Sequence, residues 1–223
     1  MRRPVIYCAH IGSVAAGHFG WARGCGGEAE SAITGCGDIE TLPRSIAADL
    51  NRGLPVALGF ECPLWVPLSD DPAGLTRARP IDGKRPYCAG AGAAVLATGL
   101  TEVVWTLREV KLRSSVPASA FLGPAEFREA GSGLFLWEAF VSGGAKPRSD
   151  ARKGSREDHV EDAKAAVRAF VELWPEIPAA EVARGTEVYS LIGAALLRSG
   201  WSEEVALLRT PCSVVKVMPP DDA

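Results

Sequence analysis

The sequence predicts an α/β fold in which an antiparallel three-stranded meander continues into parallel strands, the mixed sheet being flanked by helices. Three observations carry this expectation. The first forty residues contain three short apolar or alternating runs separated by glycine clusters. Two later runs, residues 55–60 and 134–141, are apolar without alternation, as strands buried on both faces are. Between and after them, apolar residues recur at helical spacing.

Each element follows from its local composition. Residues 5–10 form a short apolar run, and residues 17–23 carry Phe19 and Trp21 in period-two alternation. Residues 30–36 make a third strand, with glycines at 24–27 and 35–37 as turns. Thr41 then caps a helix with Leu42, Ile46, Ala47 and Leu50 on one face, Pro43 in its first turn and Gly53 at its end. The strand 55–60 runs into Glu61-Cys62-Pro63-Leu64, and residues 65–86 read as loop, rich in Pro, Asp, Gly and basic residues. Helices are expected over 88–99 and 101–113, before Pro117, Gly123 and Gly131 interrupt the pattern. A second buried strand, 134–141, precedes a basic loop. Helices over 158–174 and 188–198 and a last strand over 213–217 complete the reading. No internal repeat and no dividing linker is visible, so residues 1–223 are expected to form one domain.

Composition narrows the function. At 223 residues, 47% hydrophobic and 23% charged, the chain is globular in character and long enough for a substantial core. Its formal net charge of −3 argues against a broad nucleic-acid-wrapping face. Phosphate contacts would have to come from local basic loops. No signal-like h-region is seen, and no apolar run approaches the roughly 20 residues that cross a bilayer, so a cytoplasmic protein without a membrane partner is expected. Six cysteines, none in a CxxC pair, fit intracellular usage and argue against a zinc site. Cys25 and Cys36 flank the expected hairpin and could face each other. There is no GxGxxG after the first strand, no Walker loop and no GxSxG. A Cys–His hydrolase is conceivable from Cys62 beside Glu61, but nothing positions a histidine for it.

The residues that stand out are acids in apolar strands. Glu61 ends the run VALGFE, and Glu138 interrupts FLWEAF. A buried charge costs on the order of several kcal/mol unless it is paired or bound to a metal. Each acid therefore takes either an arginine from a basic loop or a cation. One basic loop holds Arg77, Arg79, Lys84 and Arg85; the other holds Lys146, Arg148, Arg152, Lys153 and Arg156. Such loops are either solvated segments or phosphate-binding surfaces. His10, closing an apolar strand, is either a structural residue or a ligand or acid–base group. His18 reads as a turn residue. The tryptophans read as packing residues, with Trp65 also a candidate for base stacking.

The order of these features adds meaning. His10-Ile11-Gly12-Ser13 followed by Gly20-Trp21-Ala22, then Gly59-Phe60-Glu61-Cys62-Pro63-Leu64, then His159-Val160-Glu161-Asp162-Ala163, resembles the ribonuclease-H-like superfamily. The likeness is to its resolvase-like branch and to a related uncharacterised domain family. These segments match the opening strand, turn and second strand, the strand ending in an acid, and the late helix with an Asp-Ala pair after a histidine. The resemblance spans most of the chain on short motifs, and their order carries it. It implies a ribonuclease-H-like sheet and acids that converge on divalent Mg²⁺ or Mn²⁺ to hydrolyse a phosphodiester.

Carried over by position, the resemblance implies a catalytic set of His10, Glu61, Glu138, His159 and Asp162, with Glu61, Glu138 and Asp162 as metal ligands. It likewise implies that Arg77, Arg79, Lys84, Arg85, Lys146, Arg148, Arg152 and Lys153 contact substrate phosphates without sequence specificity. The chain departs from the pattern at His10, where the superfamily carries its central metal-binding aspartate. Imidazole suits Mn²⁺ and is a poor ligand for Mg²⁺. The helix 188–198, with Ser190 near its start, is a second candidate for the late helix, and would leave no acid there.

Three functions are consistent with these residues. The first is a divalent-metal-dependent nuclease. The second is a catalytically degenerate relative that binds nucleic acid, a nucleotide or a partner protein. The third is a structural role with the strand acids paired to arginines.

Overall fold

The computed structural model describes residues 2–25, 32–83, 86–141 and 156–217. Strand β1 (Val5–His10) is buried along its length and lies inside the sheet. It pairs antiparallel with β2 (Gly20–Cys25), which pairs antiparallel with β3 (Thr34–Cys36). On its other side β1 pairs parallel with β4 (Val56–Glu61), in a register that sets His10 beside Glu61. Parallel pairing continues from β4 to β7 (Leu134–Val141), with Phe60 beside Glu138. The far edge of β7 is shared by two short parallel strands, β6 (Ala120–Phe121) and β9 (Val214–Val217). The mixed sheet expected from the sequence is thus present, and the unalternating runs are its central parallel strands.

Side chains alternate across this sheet and meet a different layer on each face. Tyr7, Ala9, Leu58, Phe60 and Leu136 pack with Leu42, Ile46 and Leu50 of α1 (Thr41–Asn51), Val103 and Leu107 of α2 (Ala91–Arg113), and Ile192 and Leu196 of α5 (Leu191–Arg198). Ile6, Cys8, Ala57, Phe135 and Trp137 pack with Phe127 of α3 (Pro124–Ala130) and with Ala163, Val167 and Phe170 of α4 (Arg156–Leu173). Among the described residues, no helix is long and apolar enough to cross a membrane.

Four local expectations are corrected. The segment 65–86 is not all loop: β5 (Trp65–Leu68) pairs antiparallel with β8 (Glu187–Ser190) in a separate two-stranded sheet. Residues 188–190 therefore belong to that strand, and α5 begins only at Leu191, with the Ser190 hydroxyl accepting from the Gly193 amide. The two helices read around residue 100 are one, because Gly99 lies within α2 at a close approach to Cys62. Cys25 and Cys36 are not cross-strand partners: Cys25 lies opposite Val5 and Cys36 opposite Trp21.

Candidate metal centre

The ends of β1 and β4 place His10 and Glu61 side by side, and the His10 Nδ1 to Glu61 Oε2 distance is 2.5 Å. Asp162 reaches the same nitrogen from α4, with Oδ2 3.7 Å from it. Its arrival depends on Gly20. A Cβ there would stand 2.7 Å from both the His159 carbonyl carbon and the Val160 nitrogen, so only glycine lets the first turns of α4 seat on β2. The three side chains are 7–12% exposed. One donor atom from each of His10, Glu61 and Asp162 lies within 4.8 Å of the others, so this group can hold a metal ion.

The donor set fits a divalent cation. Donors on one small ion stand about 3 Å apart when adjacent and about 4.4 Å apart when opposite, so a cation would need the 2.5 Å His10–Glu61 pair to open while the group keeps within the 4.8 Å it spans. The His10–Glu61 contact is a hydrogen-bonded pair, and a cation at Nδ1 would displace the shared proton. One imidazole with two carboxylates is a mixed nitrogen–oxygen set, suited to Mn²⁺ more than to Mg²⁺.

The histidines extend the site outward. The His159 ring stacks on His10 with centroids 4.5 Å apart, and His18 lies against His159 at 5.4 Å. His10 is buried, His159 half-buried and His18 exposed in the β1–β2 loop. His18, exposed in the loop before β2, lies against His159, and His159 touches the group rather than joining it.

Glu138 does not join it. Registered with Phe60, it projects to the face of α1, α2 and α5, whereas Glu61 and His10 alternate to the α4 face. Its carboxylate is closed by protein. The Arg79 guanidinium donates from Nη2 to Oε1 at 2.6 Å and from Nη1 to Oε2 at 2.8 Å, and the Leu64 amide donates to Oε2. Burial raises the Glu138 carboxyl and Arg79 opposes the rise. Asp82 takes two further Arg79 donors, and the guanidinium lies 4.9 Å above the Trp65 ring.

Arg79, with its side chain 1% exposed, is therefore a structural cation and not a surface contact for phosphate. Trp65, 1% exposed, offers no open face for a base. Arg77 is exposed and lines a cleft of about 540 Å³ with Asp70, Asp71 and Glu187. Lys84, Arg85, Lys146, Arg148, Arg152 and Lys153 lie outside the described residues. Cys62 is buried, and burial pushes its thiol well up, with Glu138, Glu102, Cys212 and Glu61 adding to the rise, which disfavours the thiolate a nucleophile needs.

Sequence reasoning missed Glu102, in α2. It is 8% exposed, and burial raises its carboxyl to about 7 against the opposing influence of the Gly12 amide and His10. A signal for it existed: it interrupts the buried stripe of Gly99, Val103, Thr106, Leu107 and Val110. Comparison with known proteins finds no matching protein-family model, and no significant match among curated proteins or solved structures.

Proposed function

We propose that this chain is a divalent-metal-dependent phosphodiester hydrolase of ribonuclease-H-like type, with His10, Glu61 and Asp162 as its cation ligands. The observation that carries the reading is the convergence of those three donors at the C-terminal ends of two central parallel strands. The strand order β3-β2-β1-β4-β7, antiparallel and then parallel, supports the same superfamily. The ligand set differs from the one expected from the motifs, since His10 takes the place of Glu138. With an imidazole among the donors, Mn²⁺ is the favoured ion.

When bound, the cation supplies Lewis-acid activation of water and charge neutralisation at the leaving oxygen. The chain's own residues prepare its place. Glu61 orients the His10 ring through Nδ1, and stacking on His159 restricts its rotation. Asp162 brings a second carboxylate from an independent element, so the site forms only when α4 is docked. His159 and His18 are the side chains that an arriving phosphate meets at the rim.

The test is cleavage of labelled single- and double-stranded DNA and RNA oligonucleotides with Mn²⁺, Mg²⁺ or EDTA. Mn²⁺-dependent cleavage that disappears in Glu61→Gln and Asp162→Asn is the expected result. The low exposure of the three ligands, 7–12%, favours a second reading: a catalytically degenerate relative that binds nucleic acid, nucleotide or a partner protein around a structural cation. Mn²⁺ binding without cleavage, together with salt-dependent retention of an oligonucleotide, would select that alternative.

A further inference from the structure

Helix α2 presses on the chain just beyond two of the site residues. A Cβ on Gly99 would stand 2.7 Å from Cys62 Sγ and 3.9 Å from Ile11, the residues that follow Glu61 and His10. One turn later on the same buried stripe, Glu102 turns inward at 8% exposure. Its carboxylate faces the Gly12 backbone N–H, two residues past His10, and lies within electrostatic reach of the His10 ring. Its Oε2 has no hydrogen-bond partner.

A buried carboxylate oxygen without a hydrogen-bond donor is costly when charged. Elsewhere the chain answers such a group with cations of its own. Glu138 has Arg79, and Asp49 has Tyr7 with Arg23 and Arg52. Among the described residues, Glu102 has neither an arginine nor a lysine as ion-pair partner, and neither does Glu61. His10 is, among the described residues, the basic side chain that bears on both carboxylates, paired with Glu61 and within electrostatic reach of Glu102. A hydrated divalent ion supplies what is lacking: positive charge for both, and water protons for an oxygen too distant to ligate directly.

We propose that Glu102 is a positioning residue of the cation site, its free oxygen accepting hydrogen bonds from the ion's water shell on the flank formed by α2. This inference rests on the cation reading of His10, Glu61 and Asp162. It adds a third acid, from the helix layer opposite α4, which none of the sequence motifs contains.

The experiment is Mn²⁺ titration followed by electron paramagnetic resonance, on wild type, Glu61→Gln, Glu102→Gln and Glu102→Asp. Melting of each metal-free protein serves as the check on folding. Wild type should bind Mn²⁺ and Glu61→Gln should not. Glu102→Gln should bind roughly 10-fold more weakly, with an altered line shape of the bound ion, and Glu102→Asp should recover part of the affinity. If Glu61→Gln abolishes binding while Glu102→Gln matches wild type in affinity and line shape, the role of Glu102 is overturned and the cation site stands. If wild type does not bind Mn²⁺, or Glu61→Gln binds as well as wild type, the cation site falls and Glu102 with it. Should Glu102→Gln fail to fold, Glu102→Asp decides: unchanged affinity and line shape there overturn the proposal, and weakened binding supports it.

Discussion

Two groups of buried acids lie on opposite faces of the same sheet, and the chain treats them differently. On one face, Glu138 and Asp82 surround Arg79, whose donors are spent on carboxylates and a backbone carbonyl. That network is complete within the protein. On the other, Glu61 and Asp162 converge on a single imidazole nitrogen. The first group is closed by an arginine; the second meets at a histidine nitrogen that can itself serve as a metal ligand. A buried acid is therefore weak evidence for a site until its counter-charge is identified.

The sharpest break in this comparison is Arg79→Ala. It strands two buried carboxylates and should cost about 3–5 kcal/mol in denaturant unfolding, enough to threaten the fold. A loss under 1 kcal/mol would mean that the network is not closed as described. In metal-free protein, Glu102→Gln should act in the opposite direction. The Glu102 carboxyl is raised from 4.5 to about 7, so its contribution to stability is full below pH 4.5 and lost as pH rises through 7. Glutamine does not titrate, so the variant should match wild type near pH 4.5 and exceed it by up to roughly 3 kcal/mol at pH 9. A constant difference across that range would contradict the burial of an ionisable oxygen.

Smaller effects test the His10 group itself. Mn²⁺ at one hundred times its Kd should stabilise wild type by ~2.7 kcal/mol, a melting rise of roughly 5–10 °C. That rise should vanish in Glu61→Gln; its persistence there would place the ion elsewhere. Gly20→Ala should cost roughly 1–3 kcal/mol by pushing α4 off β2, and should weaken Mn²⁺ binding as well. Unchanged affinity in that variant would show that Asp162 does not depend on the seating of α4.

Much of the sheet was legible because its central strands are apolar on both faces, and a run such as VIYCAH or VALGFE has few other uses. Strand β8 was not, because EVYS continues into LIGAALLR without a breaker and only pairing with β5 separates them. The site was half legible. Glu61 and Asp162 stood out as acids at a strand end and in an early helical turn. His10 was visible as a departure from a motif, yet its nitrogen is the point on which the group converges. Glu138 misled because single-strand patterning carries no information on inter-strand register. Register places it beside Phe60, on the wrong face for His10. Glu102 interrupts the buried stripe of α2, a signal blurred because the amphipathic pattern of that helix is weak and its sequence reads as two helices.

The stack of imidazoles has a practical consequence. The chain contains three histidines, and all three lie in one column running from His10 through His159 to exposed His18. Every histidine resonance in a proton NMR spectrum therefore originates within this one corner of the molecule. A paramagnetic ion seated against His10 should erase the three signals in order of their distance from it, so the spectrum maps the site without a single engineered label.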